Sequence, residues 1–291
     1  MDGVLLIDKP AGLTSHDVVA RLRRILGERR LGHTGTLDPI ATGLLVIVAG
    51  KATRLSSLLT GHDKTYDAVI RLGQATSTDD VEGEPIGEPA APPDATALPA
   101  ALERFRGTFA QTPPAHSAKK IGGQRAYRLA RARQPVLPAP VEVTVKELTV
   151  LGYEGGDLRV RVAATAGFYV RALARDLGAE LGCGGHLREL RRLACGPFRV
   201  EDALPLDQIE AQGGIPADRV IAPVDALPEL DLVEVTPAGL QRIRNGNYIG
   251  PVHVAGTPGG GTPLVRIVAE GRLVALARRR DAALHPVTVL G

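Results

Sequence analysis

"GHTGTLDPIATG", Gly32 to Gly43, carries one carboxylate, Asp38, among residues that are otherwise glycine, small, hydroxylated or apolar. His33 is the only other ionisable group in the stretch. Three roles are open to Asp38: a turn residue ahead of Pro39, part of a phosphate-binding loop, or a reactive carboxylate. So glycine-rich a loop lets backbone approach a ligand closely. Arginines crowd the stretch just before it, "RLRRILGERR" (Arg21 to Arg30).

Outward from this loop the pattern is mixed α and β. "GVLLIDKPAG" is a short strand stopped by Pro10 and Gly12. In "LTSHDVVARLRRILG", Thr14 and Asp17 have capping-box spacing, and Val18, Val19, Leu22, Ile25 and Leu26 share one helical face ending at Gly27. "GLLVIVAG" (Gly43 to Gly50) reads as a buried strand and "YDAVIRLG" (Tyr66 to Gly73) as a half-buried one. Residues 85 to 99, rich in Pro and Ala, form an exposed connection, and "ALERFRGTF" resumes a helix. Residues 112 to 140 are basic and broken by Pro and Gly, as a projecting arm is. "LRVRVAATAG" alternates like a strand, and Val170, Leu173, Ala174, Leu177 and Leu181 line a helix closed by Gly182. From about residue 228 the texture turns β-rich after a short helix ending at Asn245-Gly246, with a tight turn at Glu270-Gly271.

The 291 residues are 44% hydrophobic, enough for a sizeable core and two domains. No apolar run approaches the roughly 18 residues that cross a bilayer, and the N-terminus reads as a strand, not a signal peptide, so a cytoplasmic location is expected. Cys183 and Cys195 are the only cysteines, too few for a disulfide framework. Net charge is only +3, but arginine greatly outnumbers lysine and clusters, and its planar fork suits phosphates and bases. With aromatic residues at 3%, each tyrosine in a polar setting is informative.

Familiar catalytic patterns fail. "GLLVIVAGKAT" has the wrong spacing for a P-loop, and Ala52 replaces its hydroxyl residue. Ser15, His16 and Asp17 are adjacent at a helix start and cannot hydrogen-bond in series. "CGGH" and Cys195 supply at most three zinc ligands at unusual spacing. From residue types alone, Asp38 remains either a turn former or a catalyst.

Several motifs, in order, then resemble one family: "LLIDKPAGLTSHDVV", "GHTGTLDPIATGLL", "DKTYDAVIRLGQATSTDDVEG", "FRGTFAQTPPAHSAKKIGGQRAYRLAR" and "GFYVRALARDLGAELGCGGHLRELRRLACGPF". Together they are similar to the TruB-type pseudouridine synthases, which modify the T-arm uridine at conventional tRNA position 55. The resemblance implies an α+β fold with a mixed, mainly antiparallel central sheet flanked by helices. It implies a catalytic domain over 1–228 and a PUA-like RNA-binding domain over 229–291, the latter on weaker matches.

The implied chemistry breaks the uracil N1 bond to ribose and rejoins the ring through C5, so it needs neither metal nor cofactor. Asp38 is implied as the catalytic carboxylate and Arg171 as its ion-pair partner. Tyr66, in the K-x-Y motif, is implied to stack on the base and to serve in proton transfer, with Tyr169 a second pocket member. Leu193 is implied to pack on the uracil. His33 is implied to enter the T-loop when the target base flips out. Lys64 and arm residues Lys119, Lys120, Arg125 and Arg128 are implied to contact phosphates, and Lys9, Gly35 and Thr36 also belong to the implied substrate-binding set. The arm departs from the family pattern at His116 and Lys119. The implied partner is tRNA, with no membrane and no obligate protein partner, acting as a monomer. The competing readings are a tRNA-binding or folding protein without required catalysis, and a synthase acting on rRNA or with a guide RNA.

Overall fold

A computed structural model describes residues 1–115, 120–121, 124–125, 138–255, 261–281 and 283–290, without the side chains of 120, 121, 124 and 125. Gly3–Lys9 is strand β1 and pairs antiparallel with Thr42–Ala49, which follows the short strand Leu31–His33. In chain order Leu31–His33 is β2, Thr42–Ala49 β3 and Lys64–Leu72 β4. Next come Gly107–Gln111 (β5), Val141–Glu154 (β6), Asp157–Ala164 (β7) and Gly185–Cys195 (β8). The main path of this sheet runs β1-β3-β8-β4-β7-β6-β5, with Leu204–Pro205 outside β1, β2 on β3 and Phe198–Arg199 on β8. Among the described strands of this sheet, β1 with Leu204–Pro205 and β3 with β8 pair in parallel and the other strand pairs are antiparallel. This is the mixed, mainly antiparallel sheet expected.

Burial explains the strand sequences. β3 is apolar along its length because both faces are covered. Alternate residues Leu5, Ile7, Leu45 and Ile47 join one core, while Val4, Leu6, Leu44 and Val46 join a second on the other side. β4 alternates buried with half-buried residues, as its sequence predicts. The first core is roofed by helix α1 (Ser15–Leu26), whose Thr14–Asp17 capping box and left-handed Gly27 are as read from the sequence. Its other roof is helix α2 (Val170–Glu180), contributing Val170, Leu173, Ala174 and Leu177.

Two stretches differ from expectation. "ALERFRGTF" is not one helix: Leu98–Glu103 is helical, and after Gly107 at φ 69° the chain becomes edge strand β5. β6 and β8 are long strands whose charged residues hide them from a hydrophobicity reading; β8 nevertheless lies near the middle of the sheet.

A second, four-stranded sheet begins at Asp231–Glu234 and continues through Leu264–Ala269, Arg272–Arg280 and Ala283–Val289. Glu270 and Gly271 both have positive φ, the mark of the predicted tight turn. Leu273, Leu276 and Leu290 pack into the second core against Val4 and Leu44, so this small sheet covers the face opposite the helices. Of the expected arm contacts, Lys119 and Arg128 lie outside the described residues, as do His116 and the side chains of Lys120 and Arg125. Among the described residues no helix is long and apolar enough to cross a membrane.

Candidate active site

The loop between β2 and β3 is held from below at several points. Ser15, fully buried, donates to the Leu37 carbonyl at 3.1 Å and accepts from the Leu37 N–H at 2.8 Å. The Gly12 N–H donates to the Pro39 carbonyl and the Ala41 N–H to that of Asp38. Gly43 has φ 93°, and a Cβ there would lie 2.3 Å from the Arg192 carbonyl, so only glycine lets β3 leave the loop against β8. The loop is therefore a rigid platform with Asp38 at its crest.

Arg171, in the first turn of α2, reaches that crest. Its Nη2 lies 3.1 Å from Asp38 Oδ1 and its Nε 2.9 Å from Oδ2. The same guanidinium donates from Nη1 to the Thr78 carbonyl and faces Asp80 Oδ2 at 3.4 Å. Arg171 and Asp80 are buried, while 32% of the Asp38 side chain stays open toward a recess.

The recess measures about 410 Å³ and is lined by His33, Gly35, Thr36, Asp38, Lys64, Tyr66, Tyr169 and Arg171, with Phe168, Leu190 and Arg192. Protein atoms crowd Asp38 on every side but the mouth. Burial pushes its carboxyl above the usual carboxylate range; Arg171 opposes that shift strongly and Lys9 weakly, and the like charge of Asp80 adds to it. Burial likewise raises the Tyr66 phenol, against the pull of Arg192, so the hydroxyl stays protonated at neutral pH. Burial lowers the Lys64 ammonium, which donates to the Thr60 and His62 carbonyls at 2.9 and 2.6 Å.

Eight of the ten residues expected at the site thus share one recess. Two do not. Lys9 is fully buried beneath the loop, and its Nζ donates to the carbonyls of Pro10 (2.8 Å), Leu13 (2.7 Å) and Pro39 (3.4 Å). It is not part of the recess lining, and through Pro39 it braces the residue after Asp38. Leu193 packs in the second core, on the far face of the sheet. Strand alternation puts Leu190 and Arg192 on the recess side of β8 instead.

Arg192, Leu190 and Asp80 are site residues that the sequence reading missed. Arg192 is buried and ties the floor together, donating from Nε to the Leu44 carbonyl at 2.6 Å and from Nη2 to that of Gly35 at 3.1 Å. Its signal was the alternation within "LRELRRLAC", obscured by the charges. Asp80 lies within the motif "DKTYDAVIRLGQATSTDDVEG", where the sequence assigns it no role of its own. Among the described residues no group of three or more His, Cys, Asp or Glu side chains is arranged to hold a metal ion.

The fold superimposes on solved structures over nearly its whole length. Cbf5 in a Cbf5-Nop10-Gar1 complex superimposes with a TM-score of 0.74 at 27% identity, over 99% of this chain and 85% of that one. An H/ACA RNP bound to a substrate RNA containing 2'-deoxyuridine gives 0.73 at 26% identity, over 99% and 85%. The family model for the TruB family pseudouridylate synthase N-terminal domain matches residues 23–170, and that for the tRNA pseudouridylate synthase B C-terminal domain matches 171–228. The chain belongs to the TruB family. It is 46% identical to the tRNA pseudouridine synthase B of Thermobifida fusca (strain YX), over 99% of this chain and 98% of the relative. With the protein of the same name from Solibacter usitatus (strain Ellin6076) it shares 48% identity over 84% and 85%.

Proposed function

We propose that this protein isomerises the T-arm uridine of tRNA, at conventional position 55, to pseudouridine, with Asp38 as the catalytic carboxylate. The observation that carries this reading is the two-point ion pair of Arg171 with Asp38 at the wall of a recess beside the Tyr66 ring. Attack at ribose C1′, attack on the uracil ring, and assistance to a glycal-like intermediate all require an ionised carboxylate held still. Arg171 supplies both the charge and the geometry. The rigid platform below the loop means that little reorganisation accompanies the reaction.

In this reading the target uridine leaves its stack and enters the recess. The Tyr66 ring stacks on it, Leu190 gives an apolar wall, and the phenol is a proton donor. His33 lines the recess with its ring 5.1 Å from that of His16, edge to face, and it enters the space the base vacates. Lys64 and the basic arm over 112–140 meet phosphates, positioning the RNA without reading its sequence. Residues 229–291 act as a PUA-like RNA-binding domain. Their exposed Tyr248 ring, stacked on His285 with Arg242 above it, is a surface suited to nucleic acid. The protein works as a monomer in the cytoplasm.

The test is tritium release from [5-³H]uridine-labelled tRNA. Wild-type protein releases tritium, while Asp38→Asn releases none and still binds tRNA. Release at the wild-type rate by that variant would end the assignment, and absence of release by the wild type would favour a binding protein. Mapping pseudouridines after loss of the gene separates a tRNA enzyme from an rRNA or guide-directed one: only the T-arm modification should vanish.

A further inference from the structure

Gln111 is the last residue of β5 and the last before the basic arm, and at 1% exposure it is nearly inaccessible. Its side-chain amide grips one residue of the recess wall by both its N–H and its carbonyl. Gln111 Nε2 donates to the Tyr169 carbonyl at 3.1 Å, and the Tyr169 N–H donates to Gln111 Oε1 at 2.8 Å. Tyr169 lines the recess and is the N-cap of α2, where main-chain N–H groups lack partners within the helix. Two bonds from one rigid amide fix both the place and the rotation of that residue's backbone. One bond alone leaves it free to pivot.

The next residue along the arm adds a second tie. Arg175, one turn beyond Arg171 on α2, donates from Nη2 to the Thr112 carbonyl at 2.8 Å and pairs through Nη1 with Asp79 at 3.0 Å. Two ties nearly two turns apart, at Tyr169 and Arg175, hold the helix against rotation on its axis. The side chain whose aim depends most on that rotation is Arg171, which must meet both oxygens of Asp38. Displacing a reacting group by about 1 Å costs on the order of 100-fold in rate.

We propose that Gln111 is a positioning residue for the reaction: its amide locks the Tyr169 backbone and thereby aims Tyr169 and Arg171 at Asp38 and the bound base. The proposal rests on the isomerase reading above. It makes the catalytic geometry depend on the residue from which the RNA-binding arm springs.

The experiment compares single-turnover tritium release, tRNA affinity and the pH–rate profile for full-length wild-type and Gln111→Met protein. Methionine fills the space and makes neither bond. The expected result is a rate about 10- to 100-fold lower with unchanged affinity, and an acid limb moved to higher pH, because Arg171 is the main group opposing the effect of burial on Asp38. Asp38 is faced there by Arg171, Asp80 and Lys9. A wild-type rate, or a slower rate with the acid limb unmoved, overturns the proposal.

Gln111→Glu gives an independent reading should the methionine variant not fold. A protonated carboxyl presents one donor and one acceptor, as the amide does, whereas a carboxylate presents acceptors only. Burial raises the pKa of the introduced acid. Its rate relative to wild type should therefore fall as pH rises from about 6 to about 8.5; a constant ratio overturns the proposal. If wild-type protein releases no tritium, the isomerase reading fails first, so the two failures are distinguishable.

Discussion

Arg171 meets Asp38 across 133 residues of sequence with two atoms of one guanidinium, Nη2 on Oδ1 at 3.1 Å and Nε on Oδ2 at 2.9 Å. Each residue is also held by contacts outside the pair. Asp38 sits on a loop pinned by Ser15 and Gly12, and Arg171 also engages Thr78 and Asp80. The pair supplies a negative charge at a defined point in the recess, with Arg171 as its chief stabiliser.

Because burial raises the Asp38 carboxyl, the acid limb of the rate profile should lie above the ordinary carboxylate pKa. Arg171→Gln removes the chief opposing charge and should move the limb higher while slowing the reaction on the order of 100-fold. Asp80→Asn removes a like charge and should move it lower. Single-turnover rates against pH check all three; a limb indifferent to both substitutions would remove Asp38 as the titrating group.

The same shift has a stability consequence of definite sign. A carboxyl whose pKa is raised by folding binds its proton more tightly when folded, so stability falls as pH rises from the ordinary value through the raised one. Above that window the ionised Asp38 opposes folding. Asp38→Asn should therefore melt at a higher temperature than wild type at about pH 8, with the difference shrinking toward about pH 4. Thermal denaturation at several pH values checks it, and a lower melting temperature for the variant at neutral pH would contradict it.

Lys9 is predicted to matter without touching RNA. Burial pulls its ammonium down to about 8, and its three carbonyl partners hold the ends of two loops. Lys9→Met strands those carbonyls at a cost of about 1–3 kcal/mol in stability. The release rate should fall with tRNA affinity preserved, as expected when Pro39 shifts beneath Asp38. A variant that loses affinity instead would mark Lys9 as a direct contact.

Leu190 and Leu193 make a paired test of which face of β8 lines the site. Leu190→Ala should impair tritium release more than folding. Leu193→Ala should lower the denaturation midpoint and leave the activity of the folded fraction near wild type, since Leu193 packs against the second core. The reverse pattern would return the uracil contact to Leu193.

Sequence alone carried a great deal, for physical reasons. The capping box at Thr14, the left-handed Gly27, the alternation of β4 and the turn at Glu270-Gly271 are local signals, each complete within a few residues. The ordered motifs identified the family and with it the type of sheet. Signals failed where charge masked periodicity. β8 carries Arg and Glu among its buried residues and β6 carries Glu and Lys, and Gly107 turned the end of an expected helix into a strand.

What only the tertiary structure decided is which side chains share a space. Motif order lists Asp38, Tyr66 and Arg171 but says nothing of Arg192 under the floor, Asp80 behind the guanidinium, or Gln111 behind Tyr169. Nor does it separate Lys9, sealed below the loop, or Leu193, turned to the far core, from residues that face the recess. Residues adjacent in a strand point to opposite sides of the sheet, and contacts between distant segments form only when the sheet assembles. Local chemistry specified the parts of this protein; packing chose which of them could act together.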